Sequence, residues 1–166
     1  MKEILILTGA CGVGKSTISK KWAQLKNGVV IESDYFRNWI QNDIYDRFSK
    51  KEETLIADLT FVSAKEYLKH YMSVAIENVW TPFGLAKLKN DLENEFENAD
   101  IKFVWLKCDL EENQRRDKLR KAENQMKGRV SIVNAELSEY KWPDYLNILD
   151  TTNLTEKETL NRIVEI

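Results

Sequence analysis

The stretch "LTGACGVGKST", residues 7–17, decides how this chain is read. It follows directly on the apolar run Ile4-Leu5-Ile6-Leu7, and Gly9 through Ser16 fits the spacing G-x-x-x-x-G-K-[ST] without exception. Each residue type in the spacing has a physical task. Gly9, Gly12 and Gly14 let the backbone curl so that successive N–H groups, through Val13 and on to Thr17, point inward at phosphate oxygens. The N-terminus of the following helix adds partial positive charge, Lys15 neutralises the β and γ groups, and Ser16 ligates Mg²⁺. The cofactors expected from this loop are therefore ATP and Mg²⁺. The loop leaves the reaction open, because switches, motors and kinases all use it.

Outward from the loop, the chain alternates strands with helices. Residues 4–7 lack polar alternation, the pattern of a strand covered on both faces. A helix is predicted from Ser16 to about Leu25, with Ile18, Trp22 and Leu25 at helical spacing and Asn27-Gly28 as its stop signal. "VVIES" (29–33) reads as a second strand, "DYFRNWIQND" (34–43) as an amphipathic helix and residues 51–71 as a longer one. "SVAIENVW" (73–80) reads as a third strand closed by Thr81-Pro82, with helix again in "FGLAKLKNDLENEF". "IKFVWLKC" (101–108) is the clearest strand of all. The charged segment after it reads as a helix leading into a mobile basic lid at about 115–130. "YLNILD" (145–150) is a fifth strand, and the last helix opens with a capping box from Thr155 to Glu158. Five strands alternating with helices imply an α/β fold: a parallel sheet with right-handed crossovers, helices on both faces, and a ligand crevice at the carboxyl ends of the strands.

Size and charge narrow the field. At 166 residues the chain is expected to form a single domain, residues 1–166. Its 25 basic and 27 acidic residues leave a net charge of −2, so no global basic field gathers long nucleic acid or an anionic membrane. Cys11 and Cys108 lack metal-ligand spacing, and the single histidine, His70, rules out a zinc site built on paired histidines. With no apolar stretch approaching the length of a membrane span, the expectation is a cytoplasmic protein.

Two further clusters bear on the reaction. Asp34 ends the second strand and Arg37 follows three residues later, so on a helix beginning there both share a face that opens on the crevice. A carboxylate so placed accepts the proton of an attacking hydroxyl, and the guanidinium holds an anionic or polar acceptor. The spacing is equally consistent with a favourable charge in a first helical turn beside a solvated arginine. In "RRDKLRKAENQMKGR" seven cationic residues fall within fifteen positions. Such a run is commonly a solvated face, but one facing a phosphate loop closes over ATP, and Arg116 and Arg120, four apart, are the best pair for that role.

The whole chain resembles the small P-loop metabolite kinases, the grouping of gluconate, shikimate and adenylylsulfate kinases. "LKCDLEENQRRDKLRK" is similar to the gluconate-kinase-like pattern, and "ILDTTNLTEKETLNRI" to the family's last strand and helix. The resemblance implies a three-layer P-loop NTPase fold, five-stranded, parallel and nucleoside-monophosphate-kinase-like. It carries Arg116 to the adenine-clamping position, Arg120 to a lid position on the phosphates, and the 151–153 turn, with Thr152, to the border of the adenine. The chain departs from gluconate kinases after the second strand, where "SDYFR" replaces their G-D-x-x-H-P. Its D-x-x-R form is similar instead to adenylylsulfate kinases and phage-type polynucleotide 5′-hydroxyl kinases, in which the aspartate is the base and the arginine engages the acceptor. The third strand ends without an aspartate; Glu77 is the only acid available there for the Mg²⁺-water role, and it reads more readily as a surface glutamate.

Other residues are given structural parts: Cys11 as a small filler, His70 as a favourable charge at a helix end, and Tyr35, Phe36, Trp39, Tyr45, Phe48 and Trp80 as core aromatics. The leading expectation is an ATP-dependent phosphotransferase acting on a hydroxyl of a small molecule. Lys15, Asp34, Arg37 and Arg120 are its catalytic residues and Ser16 its metal ligand. A nucleotide or polynucleotide 5′-kinase and an ATP-binding regulatory domain without chemistry stand as alternatives.

Overall fold

Ile4, Leu5, Ile6 and Leu7 are all buried, as an unalternating apolar run requires of a strand covered on both faces. In the computed structural model, which describes residues 1–41 and 48–166, they form the middle of β1 (Glu3–Thr8). β1 pairs in parallel with β3 (Ser73–Glu77) on one side and β4 (Asp100–Lys107) on the other. β2 (Val29–Glu32) and β5 (Asn147–Asp150) complete a five-stranded parallel sheet of order β2-β3-β1-β4-β5. The chain thus winds first to one side of β1 and then to the other. The loop that leaves β1 emerges where the winding reverses, the place in such sheets where a crevice opens.

The two faces of β1 belong to different cores, which gives the molecule its three layers. Ile4 and Ile6 pack with Ile56, Ala57 and Ala64 of α3 (Lys50–Tyr67) and with Leu85, Leu88 and Leu92 of α4 (Pro82–Glu95). Leu5 and Leu7 pack with Ile18 and Trp22 of α1 (Lys15–Leu25), Val133 and Leu137 of α6 (Arg129–Ser138), and Ile163 of α7 (Glu156–Glu165). Each buried side chain of this size contributes on the order of 2 kcal/mol, so the central strand is held from both faces. The capping box of α7 is formed as its sequence predicts, Thr155 accepting from the Glu158 N–H while Glu158 accepts from the Thr155 N–H. Among the described residues no helix is long and apolar enough to cross a membrane.

The structure differs from the sequence reading in three segments. The helix expected at 34–43 is a single turn, α2 (Asp34–Arg37), continued by turn-like bonds from Asn38 to Tyr35 and from Ile40 to Arg37; residues 42 and 43 lie outside the described residues. α3 ends at Tyr67 rather than at 71, so His70 sits in an exposed turn beyond it. After β4 the chain does not run from one helix into a loose basic stretch. It forms α5 (Leu110–Lys118), a 3-10 turn at Ala122–Asn124, and α6, whose Val130, Val133 and Leu137 are buried. The apolar spacing 130, 133, 137 is the helical signal, and it begins only where the cationic run ends at Arg129.

Candidate active site

A cavity of about 730 Å³ lies at the carboxyl end of the sheet. The 11–17 loop forms its floor, Asp34 and Glu77 stand on one side, and Arg116, Leu119, Arg120 and Met126 on the other.

The loop owes its shape to residues that lack a Cβ. Gly12 has φ 87°, in the left-handed region, and a Cβ there would stand 2.6 Å from Asn113 Oδ1, so both backbone and space demand glycine. Gly14, φ 103°, is the N-cap of α1 and offers no side chain to its first N–H groups. Those groups and the helix dipole place partial positive charge at this end of the cavity. Val13 is buried behind the loop, and Val13, Ser16 and Thr17 line the cavity together with the two glycines. Lys15 is buried against the loop, its Nζ donating to the carbonyls of Gly9 and Ala10 at 3.0 Å each. Gly9 itself lies against β4, where a Cβ would meet the Leu106 carbonyl oxygen at 2.3 Å.

Glu77 is not the surface residue that its sequence context suggests. It ends β3 beside β1, is buried, and accepts a hydrogen bond from the Ser16 hydroxyl. The reason is strand order: β3 lies between β2 and β1, so its last residue opens inward on the loop. Burial pushes the Glu77 carboxyl above its ordinary range, against the opposing pull of Lys15 and the Ser16 hydroxyl.

Asp34 lines the cavity with about half of its side chain exposed, and accepts from Arg37 Nη1 at 2.7 Å. The two residues do share a face of α2, but Arg37 is buried and does not line the cavity. Its Nε donates to buried Glu52 of α3, and Nη1 also donates to the Asn78 carboxamide oxygen at 2.7 Å. Glu52 in turn accepts from the Phe48 N–H at 3.0 Å. The guanidinium therefore joins α2, α3 and the end of β3, and fixes Asp34 from behind.

At the far end, Arg116 donates from Nε to Glu112 Oε1 at 2.6 Å, from Nη1 to the Thr151 hydroxyl at 3.0 Å and from Nη2 to the Thr151 carbonyl at 2.6 Å. Arg115 grips the same carboxylate at 2.6 and 2.9 Å. The hydrogen bonds from Arg115 and Arg116 hold the Glu112 carboxyl down to about 2. The structure brings Thr151, rather than Thr152, to the cavity wall. The Thr152 hydroxyl is taken up within its own turn, donating to Asp150 at 2.6 Å and accepting from the Asp109 N–H at 2.9 Å. Arg120 lines the cavity beside Asp117, 3.5 Å away. Asp117 is buried and accepts from the backbone N–H groups of Met126 and Lys127, which ties the 115–130 segment to α5.

Of the residues given structural parts, Cys11 lines the cavity as a free thiol whose pKa burial raises against the opposing pull of Lys15. Trp80 is buried, whereas Tyr35 and Trp39 are exposed rather than core; Tyr45 lies outside the described residues. The residues that sequence reasoning missed are supports: Glu52, Asn78, Glu112, Asn113 and Asp117. Only Glu112 was legible, as an acid four positions before Arg116 on a helix.

The family model described as "AAA domain" matches residues 4–143. Among solved structures, the chain is similar to the Mycobacterium tuberculosis APS kinase in complex with AMPPNP and APS, at 17% identity over 99% of this chain and 96% of that one, TM-score 0.69. It is similar to a gluconokinase from Sinorhizobium meliloti, at 16% identity over 98% and 90%, TM-score 0.65. It also matches a chain of the Pnkp1/Rnl/Hen1 RNA repair complex, at 25% identity over 82% of this chain and 43% of that one, TM-score 0.59. The fold is thus that of the small P-loop kinases. A search of the curated proteins finds no match.

Proposed function

The chain belongs to the AAA domain family, and on that premise we propose that it is an ATP-dependent phosphotransferase that moves the γ-phosphoryl group to a hydroxyl of a small molecule. The observation that carries this reading is the meeting of three groups on one cavity: the 11–17 phosphate loop, the Glu77 carboxyl bonded to Ser16, and the half-exposed Asp34 carboxylate. The loop amides and Lys15 hold the β and γ phosphates. Arg116, fixed against Thr151, borders the nucleoside end, and Arg120 faces the phosphates from the lid.

Asp34 accepts the acceptor's hydroxyl proton as the oxygen bonds to the γ-phosphorus; the bond from that phosphorus to the β–γ bridging oxygen breaks, and ADP leaves. Arg37 contributes by orienting Asp34, not by touching the acceptor. Among the described residues no three His, Cys, Asp or Glu side chains gather to hold a metal. The Ser16–Glu77 pair nevertheless fits Mg²⁺, an ion commonly held by few protein oxygens together with phosphates and water. Ser16 and Glu77 would hold the ion there, and it would supply positive charge that offsets that of the phosphates.

The test is ATP turnover in the presence of a panel of hydroxyl compounds, comparing wild type with Asp34→Asn. The variant is expected to bind ATP normally and to lose at least about 100-fold in kcat; unchanged turnover rejects Asp34 as the base. A second reading, a polynucleotide 5′-hydroxyl kinase, is favoured by the D-x-x-R spacing and the RNA repair neighbour. Transfer of labelled phosphate to a 5′-hydroxyl oligonucleotide decides between the two. An ATP-binding domain without chemistry is disfavoured by the buried Glu77 carboxyl, which stands at the end of the third strand and accepts from Ser16.

A further inference from the structure

One polar group beside the cavity has no part in the chemistry above. Asn113, on α5, is fully buried, and neither its carboxamide oxygen nor its nitrogen has a hydrogen-bond partner among the described residues. It packs on a specific place: the Cβ position of Gly12 lies 2.6 Å from its Oδ1 and 3.5 Å from its backbone oxygen. A carboxamide that carries two N–H donors and one acceptor, wholly desolvated against the crown of the phosphate loop, is unfavourable unless some state of the protein uses it.

Peptide geometry supplies that state. The peptide unit is planar and trans, so each loop peptide that turns its N–H inward to a phosphate turns its carbonyl outward. The side chain packed on Gly12 is Asn113, whose carboxamide faces the loop with its oxygen and, turned over about its last bond, presents its N–H groups to an outward carbonyl. The same helix carries Glu112 and Arg116, with Arg120 just past its end, so whatever holds Asn113 to the loop also sets the arginines over the nucleotide.

We infer that Asn113 is a positioning residue for the triphosphate: its carboxamide hydrogen-bonds to the backbone of the Cys11–Val13 stretch when the loop wraps phosphate, registering α5 on the loop. This rests on the nucleotide-binding reading of the cavity. Its signature is a trade between two quantities that a plain packing residue would not separate. Asn113→Leu, of similar size and without polar atoms, is expected to melt at the same or a higher temperature than wild type when no nucleotide is present. It is expected to bind Mg·ATP about tenfold more weakly, equivalent to about 1.4 kcal/mol. Affinity for adenosine, which offers the loop no phosphate, stays unchanged.

Calorimetric titration with Mg·ATP and with adenosine, alongside thermal unfolding, reads all three. Wild-type Mg·ATP affinity in the leucine variant overturns the inference, as does an equal loss for ATP and adenosine. Asn113→Ala is held to the same pattern of affinities should the leucine variant fail to fold. Failure of the wild type to bind Mg·ATP overturns the nucleotide-binding reading itself and this inference with it, a result distinct from any difference between variants.

Discussion

Glu77 and Ser16 touch, and the consequences of that contact reach pH dependence as well as metal binding. Burial raises the folded-state pKa of Glu77 above its unfolded value. Between the two values the folded protein binds more protons than the unfolded chain, so stability is greatest below the ordinary carboxyl range and falls as pH rises through the raised value. Glu77→Gln keeps the shape and removes the titration. The variant is expected to lose this pH-dependent decline and to be more stable than wild type above the window, as followed by thermal unfolding across a pH series. In the same variant, the strengthening of ATP binding by Mg²⁺ should shrink by about tenfold or more. A variant that keeps full Mg²⁺ dependence removes Glu77 from the metal's surroundings.

At the scale of elements, an acid of one helix holds the start of its neighbour. Glu53 of α3 is buried and accepts from the Thr81 hydroxyl, the Thr81 N–H at 3.3 Å and the Gly84 N–H at 3.0 Å, so it caps the start of α4 across the helix pair. Glu53→Ala strips these donors of their partner in a buried place and is expected to cost about 2 kcal/mol or more in denaturant unfolding. Glu53→Gln, which keeps an acceptor oxygen, should recover part of the loss; equal loss in both variants assigns the effect to the charge instead. The same level explains what the sequence could and could not disclose. β1, β4, the phosphate loop and the α7 capping box were legible because each is written in contiguous residues. The burial of Arg37 and Glu77 was not, because it follows from α3 packing beside α2 and from β3 lying between β2 and β1. Helix α6 was missed because its apolar positions 130, 133 and 137 begin only where the cationic run ends at Arg129 and the charge drew the reading; Val133 and Leu137 fill the second core. Thr152 was placed one residue past the position that lines the cavity, since hydroxyl neighbours in a turn are told apart only by which one the Asp150 side chain captures.

For the whole molecule, the winding order puts the loop at the reversal of the sheet, with β2, α2 and the end of β3 on one side and α5 with its following turn on the other. The half bearing Asp34 and Glu77 is anchored by the Arg37 web through α3, in the first core. Among the described residues, the opposite half is joined to the rest by hydrogen bonds from Arg116 to Thr151 and from the Asp109 N–H to Thr152 and by the packing of Asn113 on Gly12, while Asp117 holds only its own segment together. A ligand spanning the cavity therefore adds most order where the lid begins. Mg·ATP at about 100 times its Kd contributes about 2.7 kcal/mol, which for a chain of this size raises Tm by roughly 5–10 °C. Amide exchange should slow mainly in residues 9–17 and 110–130, with little change in α4 and along the outer length of α3. Arg116→Ala is expected to reduce both the Tm rise and the protection at 110–130 while leaving the loop's own protection in place. Protection spread evenly over the molecule, or confined to the loop in the wild type, would show that α5 and its following turn do not close over the nucleotide as the cavity wall implies.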